Sequence, residues 1–87
     1  MGDLRTVLVT GASSGIGLAC ARAFLEQGDR VVAHYRRQAE PVERLRAEHG
    51  PARVVAVQAD LATEEGCVRL VGAADGLSVL VHSAGIW

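Results

Sequence analysis

Short, nearly unbroken apolar runs alternate along the chain with longer amphipathic ones. TVLVT (Thr6 to Thr10), RVVAHY (Arg30 to Tyr35), RVVAVQ (Arg53 to Gln58) and LSVLVH (Leu77 to His82) are rich in β-branched residues. Such runs predict parallel strands covered by helices on both faces. After the first, Ile16, Ala19, Cys20, Ala23 and Phe24 recur at helical spacing, which predicts a helix packing on that stripe and stopped by Gly28. A second helix is expected from about Ala39 to His49, with Pro41 in its first turn, Val42 and Leu45 as a thin apolar side, and Gly50-Pro51 as terminator. The third opens at Thr63, an N-cap residue, and places Glu64 and Glu65 where the helix dipole favours acid. It is expected to run to about Ala74, with Cys67, Leu70, Val71 and Ala74 on one face.

The order β-α-β-α-β-α-β with right-handed crossovers predicts an α/β chain whose parallel strands lie in the order 3-2-1-4, the first half of a doubly wound sheet and a little more. Length bounds this further: 87 residues leave room for at most one compact unit. A net charge of −1 and 49% hydrophobic residues suit a globular chain rather than a disordered or nucleic-acid-coating one. No apolar run approaches a membrane span, and Met1 to Arg5 is too short and polar to open a secretory signal, so the cytoplasm is the expected compartment. Cys20 and Cys67 are expected to be small buried helix residues rather than disulfide or metal partners. No clustered carboxylate or C-x-x-C pattern supports a metal site.

In a doubly wound sheet, ligands bind beyond the carboxyl ends of the strands, and the chemistry of this sequence collects there. Gly11, Gly15 and Gly17 form a G-x-x-x-G-x-G turn between a strand and a helix, a variant of the dinucleotide fingerprint. Such glycines make the sharp turn, let a pyrophosphate approach bare backbone and let the helix pack closely, while the helix N-terminus presents N–H groups to phosphate. Ser13 and Ser14 can add hydroxyl donors, and Ile16 lies in the same turn; the alternative is an ordinary tight turn. About 20 residues beyond the glycines, an acidic residue would suit the ribose of NAD and arginine the 2′-phosphate of NADP. Tyr35, Arg36 and Arg37 stand there, which favours NADP over NAD. Asp60, with Leu61, follows the third strand and is a candidate acceptor for the adenine amino group; a loop or capping aspartate is the alternative. Ser83, Ala84 and Gly85 end the fourth strand. His82 is a weak general-acid candidate, and His34 and His49 read as structural or solvated.

TGASSGIG (Thr10 to Gly17), ADL (Ala59 to Leu61) and VHSAG (Val81 to Gly85), at this spacing, resemble the N-terminal part of the short-chain dehydrogenase/reductase family. HSAG departs from the family's commoner N-N-A-G by carrying His82 and Ser83 for the two asparagines. HYRR (His34 to Arg37) is similar to what NADP-preferring members carry after the second strand. The resemblance implies a Rossmann-type three-layer parallel sheet, present in part, with residues 1–87 as the N-terminal part of a single NAD(P)-binding domain. It also implies hydride transfer between nicotinamide and an alcohol or carbonyl carbon. The family's proton-handling Tyr-x-x-x-Lys pair, with its serine and asparagine, would lie beyond the matched stretch. The sequence has no lysine and no asparagine, and its one tyrosine sits in the cofactor region, so these residues alone are expected to be inactive.

An exposed apolar edge on the fourth strand is then expected, covered by the rest of the protein or by an oligomer partner. The competing function is a non-catalytic nucleotide-binding or interaction module using the same half-fold. An S-adenosylmethionine site is disfavoured by arginines where an acid would be expected.

Overall fold

The structure is a computed structural model, and it describes residues 5–13, 15–73 and 76–82. Its elements are β1 (Thr6–Thr10), α1 (Gly15–Glu26), β2 (Arg30–Tyr35), α2 (Glu40–His49), β3 (Val54–Gln58), α3 (Glu64–Ala73) and β4 (Leu77–His82). The strands pair in parallel in the order β3-β2-β1-β4. That is the order expected from right-handed crossovers. β3 begins one residue later than its apolar run suggests, because the Arg53 N–H still closes a turn onto the Gly50 carbonyl at 3.1 Å.

Successive strand residues point to opposite faces, and the buried side chains divide accordingly. On one face Val7, Val9, Val31, Ala33 and Val54 pack with Ala21 and Leu25 of α1 and Val42 and Leu45 of α2. On the other, Leu8, Val32 and Val57 pack with Leu70 of α3. The sheet therefore lies between two helical layers. The central strands read as continuous apolar runs because both of their faces are covered.

Two helices present faces different from those their sequences suggest. In α1 the buried residues are Gly17, Ala21 and Leu25, flanked by Leu18 and Phe24, while Ala19 and Ala23 are exposed and Ile16 is 74% exposed. Nearly every position of this helix is apolar, so periodicity alone allows several stripes. Packing of Ala21 and Leu25 on the sheet, with Gly17 buried one turn before them, selects one that begins about 100° away from Ile16. In α3 the inward residues are Gly66 and Leu70, with Ala73 beside them; Val71 is 73% exposed. A Cβ on Gly66 would run into the Asp60 carbonyl, so α3 can lie this close only with glycine there. The expected burial of both cysteines fails for the same reason: Cys20 is half-buried and Cys67 exposed. Ala74 lies outside the described residues.

At the amino end of the sheet Arg5 donates to both carboxylate oxygens of Asp29, at 3.2 and 2.8 Å, and lies over the Phe24 ring. Its hydrogen bond with Asp29 and that residue's charge raise the guanidinium pKa above its ordinary value. A raised pKa stabilises at every pH below the ordinary value and is lost only above the raised one, so this pair adds no pH dependence near neutrality. Arg53 closes the same end by donating to the carbonyls of Leu25 and Asp29 at 2.6 and 2.8 Å. Among the described residues no helix is long and apolar enough to cross a membrane.

Candidate functional site at the carboxyl ends of the strands

The parallel sheet brings Thr10, Tyr35, Gln58 and His82 to one end, and with them the loops that follow β1, β2 and β3. Gly11 and Gly15 have φ of 65° and 58°, a left-handed backbone that costs roughly 1–2 kcal/mol for residues with a Cβ. Nothing lies within 4 Å of the place where a Gly15 Cβ would stand. Gly15 and Ile16 open α1 on the solvent side, where the first N–H groups of a helix lack intrahelical partners. The turn thus presents open backbone, helix-end donors and an uncovered isoleucine to anything that approaches. A dinucleotide pyrophosphate fits that chemistry.

The first two N–H groups of the turn face inward. The Gly11 N–H donates to Nδ1 of His34 at 3.0 Å, and the Ala12 N–H donates to the His34 carbonyl at 2.8 Å. Because Nδ1 accepts, Nε2 carries the proton and donates to the Ala59 carbonyl at 2.8 Å. The ring is neutral in this arrangement and only 3% exposed. Gly11 therefore shapes the turn rather than offering its own N–H. Of the two alternatives that the sequence leaves for His34, structural or solvated, the structural one holds, and its place at the site had one available signal: a polar residue at a covered strand position beside the glycine turn.

After β2, Tyr35 is half-buried against the core, whereas Arg36 and Arg37 are exposed. Arg36 Nε lies 3.9 Å from Oδ1 of Asp60 across the gap between the β2 and β3 loops. That oxygen also accepts the Ala62 N–H at 2.9 Å, so Asp60 does serve as a turn aspartate while standing in the site. Its carbonyl accepts from the Thr63 hydroxyl at 2.9 Å, and Thr63 Oγ1 in turn accepts the Gly66 N–H at 3.0 Å. Thr63 thus caps α3 as its sequence position suggests. Leu61 packs on the second core cluster. His82 is exposed, with Nδ1 3.1 Å from Oγ1 of Thr10. Ser13 is half-buried in the turn; Ser14, Ser83, Ala84 and Gly85 lie outside the described residues.

Comparison with known proteins points the same way. Residues 5–87 match the family model described as short chain dehydrogenase. An uncharacterized oxidoreductase of Bacillus subtilis is 37% identical over 86 residues, covering 95% of this chain and 33% of its own length. A carbonyl reductase of Pseudomonas aeruginosa, solved in complex with NADP, superposes with a TM-score of 0.86 at 34% identity, over 97% of this chain and 38% of the other. An L-sorbose reductase of Gluconobacter frateurii, solved with NADPH and L-sorbose, gives 0.82 at 33% identity, over 97% and 34%. The chain spans about a third of the length of the curated relatives it matches.

Proposed function

The chain belongs to the short-chain dehydrogenase family, and from that premise we propose that it is the cofactor-binding part of an NADP(H)-dependent oxidoreductase acting between alcohols and carbonyl compounds. In this reading Gly11 shapes the turn, and Ser13, Ser14, Gly15, Ile16 and Gly17 hold the pyrophosphate. Tyr35, Arg36 and Arg37 border the adenosine ribose, Asp60 and Leu61 the adenine, and Ser83, Ala84 and Gly85 the crevice beside β4. The bound cofactor supplies the hydride acceptor or donor. The residues named bind and orient it, and proton handling falls to a tyrosine-lysine pair that these 87 residues do not contain. The same reading places the protein in the cytoplasm and residues 1–87 within one Rossmann domain.

One observation carries the choice of NADP: two exposed arginines stand immediately beyond β2, on the same sheet end as the glycine turn. A guanidinium binds a phosphate with two parallel hydrogen bonds, and a carboxylate there would repel it. The Asp60 partner of Arg36 is distant and itself 44% exposed, so that pair is weak enough to yield to a phosphate. The test is the ratio of NADPH to NADH affinity, measured by titration on the protein at the full length its gene encodes. Arg36→Ala and Arg37→Ala together are expected to lower that ratio by roughly 10- to 100-fold, the worth of a charge-assisted hydrogen-bond pair. An unchanged ratio removes the 2′-phosphate assignment.

A further inference from the structure

The hydrogen bonds of His34 reach beyond its own strand, and they join the two halves of the candidate cofactor site. Its ring accepts the Gly11 N–H at 3.0 Å on the β1 side and donates to the Ala59 carbonyl at 2.8 Å on the β3 side. The adjoining backbone repeats the pattern: Ala12 N–H donates to the His34 carbonyl at 2.8 Å and Ala59 N–H to the Tyr35 carbonyl at 3.1 Å. Gly11 opens the turn assigned to the pyrophosphate, and Ala59 immediately precedes Asp60, assigned to the adenine. The backbone bonds would form with any residue at position 34. The ring bonds need an acceptor and a donor held apart on one rigid group, and a neutral imidazole provides both.

We propose that His34 is a positioning residue for dinucleotide binding: its neutral ring holds the glycine turn after β1 at a set distance from the adenine loop after β3. The inference rests on the dinucleotide reading given above. Gly11 has the left-handed backbone the turn requires, and its N–H points inward, to the buried His34 ring. Without an acceptor there, the turn must open to find one, because an unsatisfied buried donor is unfavourable. Opening would move the donors of Ser13 to Gly17 relative to Asp60. A ligand that spans both loops would lose affinity; one confined to the adenosine side would keep it.

The experiment compares His34→Leu and His34→Asn with the wild type, each at full encoded length, by titration with NADPH and with adenosine 2′-monophosphate. Leucine removes both ring bonds, whereas the asparagine carbonyl oxygen stands near the Nδ1 position and keeps an acceptor for Gly11. His34→Leu is expected to weaken NADPH binding about tenfold, on the order of one lost hydrogen bond, and to leave the monophosphate within about twofold. His34→Asn is expected to restore most of the NADPH affinity. Equal weakening of both ligands by leucine, or an asparagine variant no better than leucine, overturns the proposal. If His34→Leu does not fold, His34→Ala, which also removes both ring bonds, takes its place: NADPH weakened about tenfold with the monophosphate within about twofold supports the role, and an outcome with both ligands unchanged or equally weakened overturns it. A wild type that binds neither NADPH nor NADH overturns the dinucleotide reading together with this one. A wild type that prefers NADH overturns only the arginine assignment, and the same variants titrated with NADH then decide the role of His34.

Discussion

Gly15 combines two constraints that separate in a mutant. Its φ of 58° strains any residue with a Cβ, yet the space around it is open. Gly15→Ala is therefore expected to cost stability only through the backbone, roughly 1–2 kcal/mol, while placing a methyl group where the pyrophosphate is proposed to lie. Thermal unfolding should show a shift of several degrees, on the scale of 4–8 °C per kcal/mol for so small a unit. Dinucleotide affinity should fall further than that loss of stability explains, and equal, proportionate losses would argue against a ligand at Gly15. Gly11 and Gly15 were recognisable as turn glycines because their conformational demand is local. The inward N–H of Gly11 was not, since its acceptor is a histidine 23 residues away on a neighbouring strand. Asp60 shows the same limit: its position after β3 marked it as a candidate, but its 3.9 Å approach to Arg36 depends on how two loops meet.

Among the elements, α2 is held to the sheet by a narrow apolar side. Its only buried residues are Val42 and Leu45, and its N-cap, Ala39, makes no side-chain capping bond. Helix formation there must come from packing rather than from capping. Leu45→Ala is expected to cost about 2–5 kcal/mol, the usual range for a buried leucine. Urea unfolding followed by circular dichroism would measure it; a change below about 1 kcal/mol would mean that α2 contributes little to the folded state. The apolar side of α2 was legible because only two of its positions are large and apolar. In α1 the opposite situation obscured the face. Ile16, Leu18, Ala19, Cys20, Ala21, Ala23, Phe24 and Leu25 supply apolar residues all round, and only contact with the sheet shows that positions 17, 21 and 25 turn inward. Arg53 opens an apolar run that predicts a strand, whereas its guanidinium closes the far end of α1. Nothing local to Arg53 distinguishes those roles.

Across the whole molecule, coverage of the sheet is uneven. β2 is enclosed on both faces, with Val31, Val32 and Ala33 fully buried, whereas Leu80 of β4 is 58% exposed on the α3 side. β4 pairs with β1 alone among the described residues. An uncovered apolar strand invites pairing with another chain, and a unit of this size buries only about 60% of its unfolded surface. The 87-residue chain by itself is thus expected to be marginally stable and to associate as concentration rises, with an unfolding midpoint that rises too. Sedimentation velocity and thermal unfolding over a hundredfold dilution series would check this; a high, concentration-independent midpoint in a monomer would refute it. Neighbours along the chain encode the four strands and three helices of the described residues, their order in the sheet, the glycine turn and the residues at each strand end. Tertiary structure alone decided which stripe of α1 and α3 faces inward, how closely α3 approaches Asp60, and that His34 ties the loops after β1 and β3 together. Those features depend on distances between segments remote in sequence, and only packing of the helices on the sheet sets such distances.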